Sequence, residues 1–305
     1  MQSATVKSGF CVLVGRPSAG KSSLLNALTG RKVSIVSPLP QTTRNSIRGI
    51  VTDPRGQIVF LDTPGLHERD EKINLRMRDV VAAGVGDADV VVYMLDCSRA
   101  PGSEERAVAQ RVVSAAKPTV VVLSKLDAPQ ADADRARAFL SEHGLTSQAA
   151  VETRELHTID RAQPQHDRLG LTAVLDRIFE LLPQGPPLYP EEYYTDQDPR
   201  FRIAEVVRGA VIDRTREELP HAIFVEVLEI TETAKALRAR AQILVERESQ
   251  KGIVVGRKGS GIRAIRESAE RTLGEIFERR VGVNLQVKVR PKWRRDDAIL
   301  SRVIG

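Results

Sequence analysis

Eight residues near the N-terminus have the composition and spacing of a loop that binds phosphate. They run Gly15-Arg-Pro-Ser-Ala-Gly-Lys-Ser22 and fit the pattern G-x-x-x-x-G-K-[ST]. Glycines let backbone N–H groups turn toward phosphate oxygens, Lys21 places a cation on the β- and γ-phosphates, and the Ser22 hydroxyl can bind Mg²⁺. An apolar segment precedes the loop and a helical pattern follows it, which favours this interpretation over a chance match in a glycine-rich turn. The predicted phosphate-binding residues are Gly15, Arg16, Pro17, Ser18, Ala19, Gly20, Lys21 and Ser22.

A second motif, Asp62-Thr-Pro-Gly65, lies where another apolar segment ends. A carboxylate at the end of a strand can hold Mg²⁺ directly or through water, and glycine allows a backbone N–H to approach the γ-phosphate. D-x-x-G alone usually marks a turn, but its position after the phosphate loop favours a nucleotide site. Between the two motifs, Thr42 or Thr43 could complete the magnesium shell when a γ-phosphate is present. The predicted nucleotide contacts here are Asp62, Thr63, Pro64 and Gly65.

A third motif, Ser124-Lys-Leu-Asp127, follows an apolar segment and is similar to the N-K-x-D element of GTPases, with serine in place of asparagine. The Asp127 carboxylate can accept hydrogen bonds from N1–H and the N2 amino group of guanine, a donor pair that adenine lacks. The stem of Lys125 can pack on the base. We therefore predict that Ser124, Lys125 and Asp127 bind guanine, against the alternative of a simple turn at a strand end.

Short apolar segments rich in Val and Ile alternate with helical patterns over the first 182 residues. This alternation predicts an α/β domain with a mostly parallel sheet and helices on both faces. Because the three motifs follow strand ends of this sheet, we interpret it as an α/β P-loop GTPase domain. A predicted hairpin of residues 46–52 and 56–62 would make one edge strand antiparallel. Predicted strands cover residues 10–14, 58–62, 89–96 and 118–125, and predicted helices cover 21–29, 71–83, 104–116, 131–142 and 171–182.

A proline-rich segment divides the chain. Residues 183–190 contain four prolines and a glycine, which cannot continue a helix or a central strand. We predict a GTPase domain at residues 1–182, a linker at 183–200 and a smaller α+β domain at 201–305. In the smaller domain we expect helices at 202–214 and 261–277 and strands at 222–230, 234–245 and 283–289.

The composition is that of an ordinary globular protein. Of the 305 residues, 41% are hydrophobic and 28% are charged, which argues against disordered and fibrous classes. No apolar run approaches the ~20 residues of a membrane span, and the N-terminus has no apolar signal segment. Two cysteines, Cys11 and Cys97, lie far apart in apolar segments, which suits two buried thiols in a reducing cytoplasm.

Positive charge is concentrated in the C-terminal third. Residues 201–305 hold 22 basic and 15 acidic side chains, whereas the first 200 residues hold 24 and 25. Such asymmetry points to nucleic acid or an acidic surface as the partner of that third, with a solvated basic face as the alternative.

Together the motifs resemble the Era family of bacterial GTPases, of the TRAFAC class, over residues 10–300. In that family's switch segment the threonine before an arginine senses magnesium, so Gln41-Thr-Thr-Arg44 implies Thr43 rather than Thr42. The resemblance implies GTP or GDP with Mg²⁺ as bound cofactors, catalytic roles for Lys21, Thr43 and Gly65, and magnesium ligation by Ser22, Thr43 and Asp62. Residues 185–190 and 195–201 are similar to the family's interdomain segment, and residues 245–252 and 254–259 to its type II KH domain.

The loop Gly256-Arg-Lys-Gly259 lies between two helical stretches of the basic C-terminal domain. In KH domains a G-x-x-G loop approaches the nucleotide backbone while single-stranded bases lie in an adjacent groove. The pattern alone is more often a turn, but the basic α+β domain and nearby Arg263 and Arg266 favour RNA binding. Trp293, among the cations of residues 288–295, either stacks on a base or belongs to the core, and the resemblance favours RNA contact. The predicted RNA contacts are Gly256, Arg257, Lys258, Gly259, Arg263, Lys292 and Trp293.

The resemblance implies a GTP-dependent switch that binds small-subunit ribosomal RNA near its 3′ end and assists assembly of the small ribosomal subunit. It also implies a cytoplasmic protein with peripheral contact at the inner face of the cell membrane, and we expect a monomer. One alternative is an RNA-binding protein with a silent or structural nucleotide pocket, against which Lys21, Ser22 and Asp62 argue. The other is an ATPase, against which Asp127 argues.

Departures from the family pattern affect the expected activity. Ser124 replaces asparagine, and residues 152–154 lack the Ser-Ala pair that supports the base, so we expect weaker guanine binding with retained choice of guanine over adenine. Leu66 stands where Ras-like proteins carry the glutamine that orients water, a trait shared by the Era family, so we expect slow intrinsic hydrolysis. Residues 153–168 look like an insertion.

Overall fold

The computed structural model describes residues 6–37, 43–65, 72–145, 151–152, 170–215 and 219–303. The chain forms two compact units. The first contains Met1–Ser34 and Thr43–Asp196, and the second contains Ile35–Thr42 and Gln197–Gly305. The division after Asp196 lies inside the predicted linker, so most of that proline-rich segment belongs with the first unit.

Six strands within the ranges just given form the centre of the first unit: β1 (Lys7–Val14), β2 (Ile47–Asp53), β3 (Gly56–Asp62), β4 (Val90–Asp96), β5 (Thr119–Ser124) and β6 (Val151–Glu152). They pair in the order β2-β3-β1-β4-β5-β6. The β2–β3 pair is the predicted antiparallel hairpin, and the other pairs are parallel. Every residue of β3, β4 and β5 is buried, as expected for the central strands of a sheet that is covered on both faces.

Among the described residues, five helices pack on this sheet: α1 (Lys21–Thr29), α2 (Lys72–Asp87), α3 (Ser103–Ala115), α4 (Ala133–Glu142) and α5 (Leu171–Leu181). Val81 of α2, Val108 of α3 and Phe139 of α4 share one apolar cluster with alternate residues of β1, β4 and β5. The strand ends carry the predicted site. The parallel register places Leu13 beside Asp62 and Asp96 beside Ser124, so the loops after β1, β3, β4 and β5 share one edge of the sheet.

Residues 183–196, here named the strap, run along the hairpin edge of the first unit. Gln57 of β3 is fully buried, and its Oε1 accepts the backbone N–H groups of Leu188 and Tyr189, both at 2.8 Å. Its Nε2 donates to the carbonyl of Tyr189 at 2.9 Å. The N–H of Ile50 in β2 donates to the carbonyl of Tyr194 at 2.9 Å. The strap thereby satisfies polar groups of an edge strand that would otherwise be open to pairing with another chain.

The second unit is a small α+β domain, as predicted. In the described part of this unit, three strands, β7 (Phe224–Glu232), β8 (Ala236–Val245) and β9 (Arg280–Val289), pair in that order, with β7 antiparallel to β8 and β8 parallel to β9. Apolar residues of its first and longest helices cover one face of the sheet. The elements are α6 (Pro199–Ile212), β7 (Phe224–Glu232), β8 (Ala236–Val245), α7 (Glu248–Val255), α8 (Ser260–Phe277), β9 (Arg280–Val289) and α9 (Asp297–Val303).

Within the ranges described, no helix is both long and apolar enough to cross a membrane.

The strap gives a stability prediction. Gln57→Ala removes the acceptor that the N–H groups of Leu188 and Tyr189 share and leaves a fully buried position underfilled, so the full chain should lose about 2 kcal/mol of unfolding free energy. Chemical denaturation measures this loss, with the exposed Gln110→Ala of α3 as the control. Equal stability of the two variants would contradict the inferred role of Gln57.

Candidate nucleotide site and nucleic-acid interface

The predicted phosphate loop connects β1 to α1. Gly20 has φ 99°, and a Cβ on Gly15 would lie 2.7 Å from the carbonyl oxygen of Met94, so both positions require glycine. The Lys21 ammonium lies inside the loop and donates to the carbonyls of Gly15 at 2.9 Å and Arg16 at 3.1 Å. Burial lowers the pKa of Lys21 from 10.5 to about 8, although the nearby acids Asp62 and Glu105 raise it. The loop therefore presents a desolvated cation where a nucleotide phosphate would bind.

The three predicted magnesium ligands lie together: Ser22 is in the first turn of α1, Thr43 precedes β2 and Asp62 ends β3. The Ser22 hydroxyl donates to Asp62 Oδ2 at 2.7 Å and lies 3.1 Å from the Thr43 hydroxyl. Ser34 also donates to Asp62 Oδ2, at 2.8 Å. Ser34 is an addition to the prediction, since a lone serine in an aperiodic segment carries no signal in the sequence.

The Asp62 carboxylate is suited to a divalent cation. It is fully buried, and its Oδ1 has no hydrogen-bond partner among the described residues. Burial raises the pKa of Asp62, while hydrogen bonds from Ser22 and Ser34 and the charge of Lys21 counter part of that rise. Mg²⁺ prefers oxygen ligands from carboxylates, hydroxyls and phosphates, so Ser22, Thr43 and Asp62 fit this ion.

The rest of the second motif approaches the phosphate loop. Thr63 is buried, and its hydroxyl donates to the carbonyl of Leu13 at 2.8 Å, which joins the ends of β1 and β3. A Cβ on Gly65 would lie 2.7 Å from Cα of Pro17, so only glycine permits this approach. Leu66, expected to be unable to orient water, lies outside the described residues, as do Thr42 and the predicted insertion at 153–168.

The base-recognition segment is attached to the phosphate loop. Ser124 is fully buried, and its hydroxyl donates to the carbonyl of Ala19 at 2.8 Å. The Ser124 hydroxyl therefore contacts the phosphate loop and is not directed at a base. Lys125 has φ 58°, and its ammonium donates to Asp96 Oδ2 at 2.9 Å. Asp127 is exposed at the end of the segment.

The Arg16 side chain points away from the predicted phosphate position. It is 3% exposed, and its Nε lies 3.0 Å from Glu105 Oε2 of α3. Only the backbone of Arg16 is therefore available to a phosphate. Sequence reasoning missed Glu105 and Asp96 as partners, because acids in a helix and at a strand end usually face solvent.

The G-x-x-G loop forms a tight turn between α7 and α8. Gly256, Lys258 and Gly259 have φ of 71°, 49° and 76°. Beside the loop is a cleft of about 520 Å³ that Gly259, Arg263 and Arg266 of the loop and α8 share with residues of β8 and β9. The strands contribute Arg238 and Asn284, which sequence reasoning missed because they lie far along the chain from the loop. The lining residues are Arg238, Ala239, Gly259, Ile262, Arg263, Arg266, Gly282, Val283, Asn284 and Leu285.

The prediction that Trp293 contacts RNA is wrong. Trp293 is fully buried, its Nε1 donates to the carbonyl of Ala222 at 3.0 Å, and its ring lies 5.9 Å from that of Phe224. A side chain without exposed surface cannot stack on a base, so the core alternative is correct. Lys292, in contrast, is exposed.

Comparison with known proteins agrees with the presence of both domains. A family model described as 50S ribosome-binding GTPase matches residues 10–125, and a KH domain model matches residues 218–294. GTPase Era of Borreliella burgdorferi is 38% identical over 300 residues, covering 98% of this chain and 100% of the relative. The chain belongs to the Era family of GTPases. GTPase Era of Treponema pallidum is 42% identical over 313 residues, covering 99% and 98% of the two chains.

Two solved Era structures share this fold over almost their whole length. Each is 32% identical, covers 98% of this chain and 99% of its own, and superimposes with a TM-score of 0.89. One is a variant of Aquifex aeolicus Era bound to GDP·AlF4⁻. The other is Era in complex with MgGDPNP and nucleotides 1506–1542 of 16S ribosomal RNA. The predicted family, fold class and guanine-nucleotide and magnesium cofactors are thereby confirmed.

The Asp62 environment gives a magnesium prediction. Ser22→Ala removes a hydroxyl that lies within 2.7 Å of the carboxylate. The Mg²⁺ concentration for half-maximal GTP hydrolysis should rise by about ten- to hundredfold, because a metal shell that loses one of its supporting groups binds more weakly. Titration of phosphate release with Mg²⁺ measures the shift, and Ser114→Ala on the exposed end of α3 is the control. An unchanged magnesium midpoint would exclude Ser22 from the shell.

Proposed function

We propose that this Era-family protein is a magnesium-dependent GTP switch, acting as a monomer, that binds small-subunit ribosomal RNA near its 3′ end and assists assembly of the small subunit. The main support is that the hydroxyls of Ser22 and Thr43 lie together with the buried carboxylate of Asp62. This group lies at the sheet edge that also carries the base-recognition segment. The basic cleft of the KH domain supports the RNA part of the proposal.

In this proposal three residues act in hydrolysis. Lys21 neutralises charge on the β- and γ-phosphates, Thr43 joins the magnesium shell when a γ-phosphate is present, and the Gly65 N–H contacts that phosphate. Mg²⁺ supplies electrostatic stabilisation of the phosphate charge. No glutamine follows Gly65 in the sequence, so we propose slow intrinsic turnover that the bound RNA or ribosomal particle accelerates.

Asp127 selects guanine in this proposal, and Lys125 packs on the base. Ser124 donates to Ala19 and is fully buried, so it supports the phosphate loop and leaves recognition of the base edge to Asp127. A carboxylate paired with two donors is a charge-assisted contact, about twice as strong as a neutral one. This difference supports the expectation of weakened binding with retained guanine selectivity.

RNA lies along the KH cleft in this proposal. Gly256 and Gly259 let the backbone approach phosphates, and Arg257, Lys258 and Arg263 supply charge. The family model matched by residues 10–125 is described for 50S-binding GTPases, whereas the Era structure that matches the whole chain contains 16S RNA. The whole-chain match favours small-subunit RNA, and a 23S fragment serves as the competitor that tests this choice.

We also propose a cytoplasmic location with peripheral contact at anionic membranes, supported by the 22 basic against 15 acidic residues of positions 201–305. Flotation with vesicles of anionic lipid, compared with neutral lipid, tests this contact. Equal flotation with both would exclude an electrostatic contact.

Nucleotide choice separates the proposal from its alternatives. GDP and GTP should displace a fluorescent GDP analogue, whereas ATP should not, because Asp127 pairs only with a base that offers two adjacent donors. Asp127→Asn should weaken GDP binding about ten- to hundredfold and allow XTP to compete, since an amide can donate to the xanthine carbonyl. Exposed Asp134→Asn is the control. Competition by ATP equal to that of GTP would favour an ATPase, and no binding at all would favour an RNA-binding protein with a silent pocket.

RNA affinity tests the KH cleft. The double variant Lys258→Ala/Arg263→Ala should bind a 3′ fragment of 16S RNA about tenfold more weakly, with a shallower salt dependence, because each lost phosphate contact reduces counterion release. Fluorescence anisotropy at several salt concentrations measures both quantities. Arg271→Ala, exposed farther along α8 and outside the cleft lining, is the control. If Arg271→Ala lost as much RNA affinity as the double variant, RNA would bind a diffuse basic face and not this cleft.

A further inference from the structure

Asp96 ends β4 next to the base-recognition segment and is almost completely buried. The register partner of Asp96 in β5 is Ser124, and the Asp96 residue is 1% exposed. Oδ1 accepts the N–H of Ser98 at 2.9 Å and the Ser98 hydroxyl at 2.5 Å. Oδ2 accepts the Lys125 ammonium at 2.9 Å. Both oxygens are thus engaged, one by its own loop and one by the lysine that faces the predicted base position.

Lys125 needs such a partner. Its φ of 58° lies in the left-handed region, which residues with a side chain rarely adopt. The backbone around it is held by the hydrogen bond from the Cys97 N–H to the Ser124 carbonyl at 3.0 Å. The ion pair with Asp96 then restrains the long side chain, which is 37% exposed. A restrained stem loses less conformational entropy when a base packs on it.

The end of β4 at Asp96 also contacts the phosphate loop. Arg16 Nη2 donates to the backbone carbonyl of Asp96 at 3.2 Å, and Arg16 Nε lies 3.0 Å from Glu105 Oε2. Glu105 Oε1 in turn accepts the Tyr93 hydroxyl at 2.6 Å. Two buried acids, Asp96 and Glu105, are thereby matched by two cations, one from each nucleotide-binding loop. Burial acts to raise the pKa of Asp96, but hydrogen bonds from Ser98 and Lys125 lower it overall, which keeps the carboxylate ionised.

We propose that Asp96 is a positioning residue for guanine nucleotides: it fixes the Lys125 stem over the base and joins the base-recognition segment to the phosphate loop through Arg16. This inference rests on the proposed contact of Lys125 and Asp127 with guanine. The Asp96 side chain acts through Lys125 and touches no phosphate, whereas Arg16 donates to the backbone carbonyl of Asp96 at 3.2 Å and lies 3.9 Å from its carboxylate. A change confined to the side chain should therefore act mainly at the base end of the nucleotide.

Asp96→Asn tests this role with little change in shape. The amide oxygen can still accept from Ser98, but an NH₂ group then faces the Lys125 ammonium, so the two donors repel and the lysine is released. GDP should bind about tenfold more weakly, as expected for loss of a charge-assisted contact. Inorganic tripolyphosphate with Mg²⁺ contacts only the phosphate loop, and its affinity should change less than about twofold.

Lys125→Met completes a double-mutant cycle, because it removes the same ion pair from its exposed end. The two single variants should weaken GDP binding similarly, and the combined variant should lose no more than about twofold beyond either one, because coupled residues are not additive. Asp134→Asn on the exposed face of α4 is the charge control and should bind both ligands as the unmodified chain does.

Three outcomes would overturn the inference: unchanged GDP affinity in Asp96→Asn, equal losses for GDP and tripolyphosphate, or additive losses in the double variant. Equal losses would mean that Asp96 supports the whole pocket and not the base end. Failure of the proposed function gives a different result: the unmodified chain would bind tripolyphosphate but would not prefer GDP to ATP.

Discussion

Asp62 carries a carboxylate at the end of β3 with no exposed surface, and much of the nucleotide site depends on how that charge is compensated. A buried carboxylate needs hydrogen-bond donors or a cation, because leaving it unpaired costs several kcal/mol. Ser22 and Ser34 donate to one oxygen, and Lys21 lies within electrostatic reach. Because the carboxylate needs these donors, the start of α1 with Ser22 and the segment after α1 with Ser34 both lie next to Asp62. The second oxygen, with no partner among the described residues, is left for a cation.

The same constraint recurs at β4, two strands from β3 in the sheet. Asp96 at the end of β4 and Glu105 of α3 are both buried, and Arg16 and Lys125 provide the opposing charge. The phosphate loop therefore contributes one cation to each side: Lys21 toward Asp62, and Arg16 toward Glu105. A loop rich in glycine has high conformational freedom. The Arg16–Glu105 ion pair and the hydrogen bonds from Lys21 to the carbonyls of Gly15 and Arg16 restrict it. The order of the loop thus comes from a neighbouring helix as well as from its own sequence.

The sequence predicts the structural elements that local residue patterns determine. It does not predict contacts between residues that lie far apart along the chain. The phosphate loop, the β2–β3 hairpin and the parallel strands follow from spacing and from runs of Val and Ile, and the structure has them near the predicted positions. Ser34, Glu105 and Asn284 carry no local signal, since their roles arise only when other strands lie beside them. Trp293 shows the converse error. Cations on both sides of it suggest an exposed stacking residue, yet its indole N–H meets the carbonyl of Ala222, 71 residues earlier.

Ser124 shows how a departure from a family pattern can preserve one role and give up another. Its hydroxyl is short, buried and directed at the carbonyl of Ala19, so the link between the base segment and the phosphate loop remains. A hydroxyl has a single proton, however, and one already given to Ala19 cannot also be given to a base. Recognition of the base then falls to Asp127 and to the packing of Lys125. Because Lys125 is restrained by Asp96, the base end of this pocket relies on a carboxylate that the base itself never touches.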